Sequence, residues 1–169
     1  AALAHPYARV LNSNVASVTE TLRGYFDCAL VLDVLEHIEE DGLPNFIDSV
    51  AAILRPEGWL IIHVPSAIQQ RHLRRFQGWH HHDHAREGFS VDQLTKLLER
   101  SQFRVTHVQG TFGYLASLAW ELNMIVAATP LQAFAFPFLI WLARLGDVLP
   151  SKTWNGLLCT AQRKGTLAR

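Results

Sequence analysis

The chain has 169 residues with 15 basic and 15 acidic side chains, so its formal net charge is zero. This balance argues against a nucleic-acid-binding protein, which needs a basic surplus to displace counterions from phosphates. A content of 49% hydrophobic and 18% charged residues excludes a disordered chain, and the length is that of one domain.

The first half of the chain predicts a strand–helix–strand unit. Residues 9–11 are a weak strand candidate, whereas residues 26–32 form a continuous apolar run, typical of a central strand covered on both faces. A helical pattern over residues 46–54 ends at a turn, 55–58, and residues 59–64 are a second buried strand. Such units form parallel sheets with right-handed crossovers.

The second half predicts one more helix and two more strands. Residues 90–93 fit a capping box that opens a helix with Leu94 and Leu98 on one face. Residues 103–108 alternate in polarity like a strand, and residues 157–161 are a last short strand. Strands that alternate with helices predict an α/β fold.

Residues 112–150 differ in composition from the rest of the chain, because they include only three charged side chains. Pro130 and Pro137 interrupt this apolar stretch and predict two short helices broken at these prolines. Helices that pack on the sheet or cover a substrate are favoured. Contact with a membrane surface or a lipid-like substrate is the next alternative, and a membrane-spanning helix is disfavoured.

Two carboxylates and an imidazole follow the first buried strand directly. They are Asp33, Glu36 and His37. In an open parallel sheet the ligand lies beyond the carboxyl ends of the strands, so these residues are candidates for a functional site. The alternative is a helix N-terminus at which acidic residues are favoured by the helix dipole.

Three segments together resemble one family. Residues 26–38 read FDCALVLDVLEHI, residues 51–65 read AAILRPEGWLIIHVP, and residues 84–90 read HAREGFS. In this order they resemble the second half of class I S-adenosylmethionine-dependent methyltransferases, in the subgroup often called type 11. The matched positions cover residues 9–108, and residues 157–163 fit the family's last strand.

This resemblance implies an α/β fold with a Rossmann-like methyltransferase sheet in a three-layer αβα arrangement. The sheet is expected to be incomplete, with an apolar helical insert before the last strand. We therefore expect residues 1–169 to form a single partial methyltransferase domain in which residues 112–150 are an insert or lid.

The sequence departs from the family at several positions. The family's Gly-x-Gly-x-Gly turn and its ribose-binding acid do not occur. Since the first residue is Ala1, we expect either the C-terminal part of a longer enzyme or a truncated paralogue. Asn14 stands where the family commonly has an adenine-binding Asp, although an amide oxygen can also accept that hydrogen bond. Glu57 and Gln102 replace glycines of two turns.

The resemblance also implies roles for individual residues. The cofactor is S-adenosylmethionine, and the positions expected to bind it are Asn14, Val15, Leu32, Asp33 and Val34. The family has no single catalytic residue, because the protein mainly holds the nucleophile and the methyl carbon in line. His37 and His84 are the candidate catalytic residues where the acceptor must lose a proton.

A histidine-rich segment, residues 79–84, lies before the third matched motif. Four imidazoles and a carboxylate in five positions suggest a metal, yet consecutive residues cannot all face one ion, so we predict no metal site. A polar loop at the rim of the substrate pocket is favoured, and Trp79, His82 and Arg86 are the candidate substrate-binding residues. Residues 71–75, which read RHLRR, are a candidate segment for binding an anionic substrate group, with a solvated helix face as the alternative.

The sequence therefore predicts S-adenosylmethionine-dependent methyl transfer to a small-molecule, hydrophobic acceptor. The alternatives are a degenerate methyltransferase-like binding module without cofactor and, less favoured, a metal-dependent hydrolase that uses residues 80–84. Expected partners are the acceptor, a membrane surface or lipid-like substrate, and a second copy of the chain, but not nucleic acid.

Cys28 and Cys159 lie in apolar runs and suggest buried thiols. No signal peptide is recognised, so a cytoplasmic or membrane-peripheral protein is expected.

Overall fold

The computed structural model describes residues 10–76, 84–127, 129–151 and 153–165, excluding the Asp147 side chain. The helices are α1 (Val15–Val18), α2 (Leu43–Ile53), α3 (Val91–Arg100), α4 (Tyr114–Val126) and α5 (Gln132–Val148). The strands are β1 (Phe26–Leu32), β2 (Leu54–Pro65), β3 (Phe103–Thr111) and β4 (Gly156–Arg163). Short 3₁₀ turns occupy Leu35–His37 and Arg74–Phe76. The predicted α/β fold is confirmed.

The four strands form one mixed sheet in the order β1-β2-β4-β3. β1 and β2 are parallel, and β4 lies between β2 and β3 and is antiparallel to both. As a result, the carboxyl ends of β1, β2 and β3 meet at the same edge as the start of β4. At this edge Leu32 is paired with His63, and Gly156 is paired with both Pro65 and Thr111.

The core lies on one face of the sheet. Leu60, Ile62 and Val64 of β2 alternate onto this face and are fully buried, together with Ile47 of α2 and Leu94 of α3. Each fully buried side chain of this kind contributes about 1.5–3 kcal/mol to the transfer free energy of folding. This face therefore supplies most of the stability of the described part of the chain.

The opposite face of the sheet differs from the prediction of strands covered on both faces. Side chains alternate between the two faces of a strand, and those of Leu30, Leu32 and Trp59 on this second face are 64%, 52% and 44% exposed. Cys28 is also exposed, so the prediction that it is buried was wrong. An apolar run does not distinguish one buried face from two, because the solvent-facing positions here are apolar as well.

The turn predicted at residues 55–58 is part of strand β2. The register with β1 skips from Phe26↔Leu54 to Cys28↔Trp59, so the additional residues form a bulge at the start of the strand. Within it, Glu57 has φ +63°, in the left-handed region that favours glycine. Gln102, between α3 and β3, has φ +65°. Both positions are those at which the sequence departs from the glycines of the family it resembles.

We expect Glu57→Gly and Gln102→Gly each to stabilise the chain. The left-handed conformation costs a non-glycine residue about 1–2 kcal/mol, part of which is offset by the greater flexibility of glycine when unfolded. A net increase of about 1 kcal/mol in the free energy of unfolding is expected in urea denaturation. The control Glu99→Gly, inside helix α3, should instead destabilise by about 1 kcal/mol. Equal destabilisation by all three changes would contradict the prediction.

Helix α3 begins as predicted. The Ser90 hydroxyl accepts a hydrogen bond from the backbone N–H of Gln93, and the Gln93 side chain accepts one from the Ser90 backbone N–H. These bonds satisfy two of the donors that a helix N-terminus leaves open. Leu94 and Leu98 are fully buried.

The apolar segment forms a pair of antiparallel helices, α4 and α5. Gly146 near the end of α5 lies against the start of α4, where an added Cβ would be 2.5 Å from the backbone nitrogen of Ala116. The predicted break at Pro130 lies between the helices, but the break at Pro137 was wrong, because Pro137 is inside α5. Pro137 and Ala133 are both exposed, so water can solvate the carbonyl that loses its partner. In the part of the chain that the structure describes, every helix is too short or too polar to cross a membrane.

The N-terminal segment differs from its prediction. Arg9 lies outside the described residues, and Val10 and Leu11 of the predicted first strand form no regular structure. The short helix α1 follows directly, and the Asn14 side chain caps it by accepting a hydrogen bond of 2.9 Å from the backbone N–H of Ala16. The preference of Asn for helix N-caps explains this local structure.

Burial of Cys159 has a consequence for alkaline stability. It raises the pKa of the thiol from 9.0 to about 11, so the thiol ionises more easily in the unfolded chain. Below pH 9 this group leaves the free energy of unfolding unchanged, and stability is lost as the pH rises towards 11. Urea denaturation should show that the stability difference between the parent and Cys159→Ala narrows by about 2 kcal/mol between pH 8 and pH 10.5. Cys28→Ala is the control, and a constant difference for Cys159→Ala would contradict the prediction.

Candidate functional site

A cleft opens at the edge of the sheet where β1, β2 and β3 end. Its cavity volume is about 170 Å³. Side chains from the strand ends, the following loops and α4 form its walls, and those used below are Asp33, His63, Arg71, Phe112 and Trp120. We refer to it as the carboxyl-edge cleft. It lies where open α/β sheets usually bind their ligands.

A chain of hydrogen bonds crosses the wall of this cleft. The Asp33 carboxylate lies 2.7 Å from Nδ1 of His63, and Nε2 of His63 lies 2.8 Å from the Thr111 hydroxyl. Since the carboxylate accepts from Nδ1–H, the neutral imidazole can accept the Thr111 proton at Nε2. The three residues lie at the carboxyl ends of β1, β2 and β3. The arrangement can therefore take up and pass on a proton.

Gly156 permits this chain of hydrogen bonds to form. An added Cβ at this position would lie 2.4 Å from the Thr111 hydroxyl oxygen and 2.7 Å from Nε2 of His63. Only a hydrogen atom fits in that space, so any larger side chain would separate the imidazole from the hydroxyl.

Two residues of the cleft have strained backbones. Asp33 has φ +51° and Phe112 has φ +56°. Asp tolerates this left-handed region, whereas a bulky residue such as Phe adopts it rarely and at a cost of about 1–3 kcal/mol. The surrounding contacts must offset that cost, and they include the backbone hydrogen bond of 3.1 Å from the Asn155 N–H to the Phe112 carbonyl. Strain of this kind is common at functional sites.

Arg71 and Trp120 also line the cleft. The guanidinium carbon of Arg71 lies 5.0 Å from the centre of the Trp120 ring, within cation–π range. An Arg71 N–H also donates a 2.8 Å hydrogen bond to the Gln69 side chain. Burial lowers the pKa of Arg71, although the charge of Glu121 acts in the opposite direction. The cleft thus presents a cation held against an aromatic surface.

Glu121 holds the loop that carries Arg71. Its side chain is fully buried, and its two oxygens accept hydrogen bonds of 2.8 and 2.7 Å from the backbone N–H groups of His72 and Leu73. The buried carboxylate thereby ties the loop after β2 to helix α4. From the sequence, Glu121 was only one of the three charged residues of the apolar segment 112–150, and no role was predicted for it.

The residues predicted to bind cofactor lie in two places. Leu32, Asp33 and Val34 are at the carboxyl end of β1, where Leu32 is exposed and Val34 half-buried. Asn14 and Val15 are at the start of α1, which packs on α2, and Val15 contacts the core. These positions remain predictions for cofactor binding.

The two predicted catalytic histidines are close together. The rings of His37 and His84 are in an edge-to-face contact with 4.7 Å between their centres, beside the buried Glu36. His37 belongs to the 3₁₀ turn after β1, and the segment that follows residue 83 brings His84 to it. The sequence did not predict this contact, because the two residues are 47 positions apart.

The predicted substrate-binding residues divide into two groups. Trp79 and His82 lie outside the described residues. Arg86 donates a 2.8 Å hydrogen bond to the Ile38 carbonyl and forms an ion pair with Glu40, so it connects its segment to the turn after β1. Its role towards substrate remains a prediction.

His63 and Thr111 were not singled out as functional by the sequence. A signal was present, because a histidine near the carboxyl end of a buried apolar strand is unusual and lies at the edge where ligands bind. Thr111 had no signal of its own. Only the antiparallel pairing of β3 with β4 places it beside His63.

The chain resembles known proteins at the level of family and fold. A family described as "Methyltransferase domain" matches residues 5–108. Among solved structures, a SAM-dependent methyltransferase from Archaeoglobus fulgidus is 15% identical, with a TM-score of 0.57, and the match covers 94% of this chain and 69% of that one. Phosphoethanolamine N-methyltransferase 2 from Haemonchus contortus, in complex with S-adenosyl-L-methionine, is 14% identical with a TM-score of 0.53 over 84% of this chain and 34% of that one.

A third structure shows that this fold does not determine the reaction. The [4+2]-cyclase SpnF is 15% identical, with a TM-score of 0.52 over 85% of this chain. The chain spans about half of that structure, 52%, and about a third of the Haemonchus enzyme, 34%. No curated protein matches the chain. Identities this low establish a shared fold only, so the activity must be argued from the site.

Proposed function

The chain belongs to the methyltransferase domain family, and on that premise we propose that it serves S-adenosylmethionine-dependent methyl transfer to a small-molecule acceptor bound in the carboxyl-edge cleft. The observation that carries this proposal is the Asp33–His63–Thr111 chain of hydrogen bonds at a cleft that Arg71 and Trp120 also line. It combines a proton acceptor with an aromatic surface and a cation.

The residues present fit one side of the cofactor. Exposed Leu32 and half-buried Val34 offer apolar contacts at the end of β1, and Asp33 offers a carboxylate. Asn14 uses one lone pair of its side-chain oxygen to cap α1, and the second can accept from an adenine amino group. We propose that these residues and Val15 hold the cofactor, which supplies the methyl group as an electrophile. The glycine-rich turn expected of the family is not in this sequence.

His63 is proposed as the general base for an acceptor hydroxyl or amine. Asp33 holds the proton on Nδ1 and stabilises the imidazolium that forms when Nε2 takes a proton. The Thr111 hydroxyl can relay by giving its proton to Nε2 while accepting one from the acceptor. The deprotonated acceptor atom would then present its lone pair to the electrophilic methyl group that a bound cofactor would supply.

The other lining residues of the cleft support a flat, apolar acceptor with an acidic group. Trp120 and Phe112 provide aromatic surface, and Arg71 provides a cation that is partly removed from water. Charge-assisted bonds to such a guanidinium are stronger and more directional than neutral ones. Aromatic carboxylic acids with a ring hydroxyl combine these features.

The proposal is tested by titrating S-adenosylhomocysteine into the complete protein as it is encoded, in a calorimeter. Binding at one site per chain is expected, and Asp33→Ala should weaken it more than the control Asp92→Ala on helix α3. Incubation with S-adenosylmethionine and a panel of hydroxylated aromatic acids should yield methylated products by mass spectrometry. A folded protein that binds no S-adenosylhomocysteine would contradict the proposal and favour a degenerate binding module.

Helices α4 and α5 also support contact with a membrane surface or a lipid-like acceptor. Their outer side presents several large apolar side chains to solvent, among them Phe134 at 83%, Phe138 at 59% and Trp141 at 57% exposure. Phe138 and Trp141 stack with 5.8 Å between ring centres, which extends one aromatic patch. Aromatic and apolar side chains of this kind partition into the interface of a bilayer.

We expect Phe134→Asp to release the protein from phospholipid vesicles. A charge within the patch opposes burial in the interface, and a loss of at least about tenfold in the vesicle-bound to free ratio is expected in co-sedimentation. Val91→Asp is the matched control, because it adds the same charge at an exposed apolar residue, 49% exposed, on another helix. Equal binding of both variants and the parent would rule out the patch as a membrane contact.

A further inference from the structure

Glu36, His37 and His84 form a cluster outside the proton-transfer chain of the carboxyl-edge cleft. One ligand atom of each, a carboxylate oxygen or an imidazole nitrogen, lies within 4.8 Å of those of the other two. His37 is exposed and His84 half-buried, so the cluster is accessible from solvent, while Glu36 forms its buried side.

The Glu36 carboxylate points to a missing ligand. The residue is 1% exposed, and its Oε2 atom is buried without a hydrogen-bond partner. A buried polar atom that forms no hydrogen bond costs about 1–3 kcal/mol, and more if it is charged. A cation beside this oxygen would remove that penalty.

We propose that Glu36, His37 and His84 bind a divalent transition-metal ion. Ligand atoms at about 2.1 Å from a tetrahedral ion are about 3.4 Å apart, so separations of up to 4.8 Å close when each side chain shifts by less than about 1 Å. Side-chain rotation about His37 and His84 supplies such shifts without moving the backbone. The proposal does not depend on the methyl-transfer function.

The donor set determines the class of ion. Two imidazole nitrogens and one carboxylate oxygen favour Zn²⁺, Fe²⁺, Co²⁺ or Mn²⁺, whereas Mg²⁺ and Ca²⁺ prefer all-oxygen sites. Three protein ligands leave at least one position of the ion for water or another ligand, as in catalytic sites rather than closed structural ones.

Hydrogen bonds between the two segments assemble the cluster in advance. The Ala85 backbone N–H donates a 2.8 Å bond to the Glu36 carbonyl, and Arg86 donates one to the Ile38 carbonyl. These bonds hold His84 beside the turn that carries Glu36 and His37. A preassembled site loses less conformational entropy when an ion binds.

The test is calorimetric titration of the chelator-treated complete protein with ZnCl₂, MnCl₂ and MgCl₂, alongside the absorption spectrum after addition of CoCl₂. We expect one Zn²⁺ per chain, weaker Mg²⁺ binding, and cobalt absorption bands typical of nitrogen and oxygen ligands. Glu36→Gln and His37→Ala should each weaken Zn²⁺ binding by roughly 10–100-fold or more. Loss of a residue that only hydrogen-bonds to a metal ligand already costs that much, and loss of a ligand should cost at least as much. Because His37 is exposed, His37→Ala keeps the test valid if Glu36→Gln does not fold.

Two controls separate this site from other histidines. His107→Ala changes an exposed histidine on β3 and should leave Zn²⁺ affinity unchanged. A variant with alanine at residues 80–82 should also retain the site. Loss of binding in that variant, with wild-type affinity in Glu36→Gln and His37→Ala, would overturn the proposal and assign the metal to the histidine-rich segment. Absence of stoichiometric binding by the parent protein would overturn it as well.

Discussion

Replacing His63 with alanine is expected to lower the turnover number of methyl transfer by about 10²–10⁴-fold, the range that a positioned general base contributes. Its imidazole joins Asp33 to Thr111 through hydrogen bonds of 2.7 and 2.8 Å, so its loss removes the proton acceptor from this position. The KM for the acceptor should change much less, because Arg71 and Trp120, which are proposed to bind the acceptor, are unchanged. The measurement is the rate of S-adenosylhomocysteine release by the complete protein with an acceptor identified in the panel.

Three variants accompany this experiment. Asp33→Asn should give an intermediate loss, since the amide still orients the ring but does not stabilise an imidazolium. Gly156→Ala should reproduce part of the His63→Ala effect, because its methyl group separates the imidazole from Thr111. His107→Ala is the control and should retain full activity. A His63→Ala protein with an unchanged turnover number would show that the acceptor needs no base from this site.

Replacing Glu121 with alanine is expected to destabilise the protein by about 2–4 kcal/mol. The change leaves the backbone N–H groups of His72 and Leu73 without their acceptors, and each unsatisfied buried donor costs about 1–3 kcal/mol. It also removes the negative charge that partly sustains the pKa of the buried Arg71 guanidinium. Loss of the tie between the loop and α4 should raise the KM for an acidic acceptor more than it lowers kcat. Urea denaturation and steady-state kinetics measure the two effects.

Glu121→Gln distinguishes hydrogen bonding from charge. The amide retains one accepting oxygen, so its free energy of unfolding should lie between those of the parent and of Glu121→Ala. Glu99→Ala, on the exposed side of α3, should change stability by no more than about 0.5 kcal/mol. If Glu121→Ala is as stable as Glu99→Ala, the buried carboxylate does not hold the loop.

The left-handed backbone conformation has different consequences at Glu57 and Gln102, where the family has glycine, and at the cleft residues Asp33 and Phe112. Glu57 lies in the bulge at the start of β2 and Gln102 directly before β3, both at the opposite end of the strands from the cleft. Their left-handed conformations lower the free energy of unfolding, and substitution by glycine should raise it. Asp33 and Phe112 have the same conformation within the cleft. There the backbone directs the side chain into a site, and glycine would remove the functional group together with the strain.

Periodicity and local chemistry made much of the fold predictable. The capping box at Ser90, the leucines of α3 and the apolar run of β1 are each decided by neighbouring residues, because helix caps and side-chain alternation depend on spacing along the chain. The strand–helix–strand unit followed from the same signals. Cys28 and Pro137 were predicted wrongly, since both outcomes depend on which faces other elements cover.

The family, the α/β fold class and the carboxyl edge at which Asp33 lies could be predicted from residue patterns alone. Which side chains meet at that edge depends on how distant strands and loops pack. His63 lies beside Thr111 because β4 pairs with β2 on one side and with β3 on the other. His84 lies beside Glu36 and His37 because a backbone hydrogen bond joins two segments almost 50 residues apart. Long-range pairing brings together groups whose separation in the chain carries no signal, whereas caps and periodic patterns act within a few residues and can be read directly.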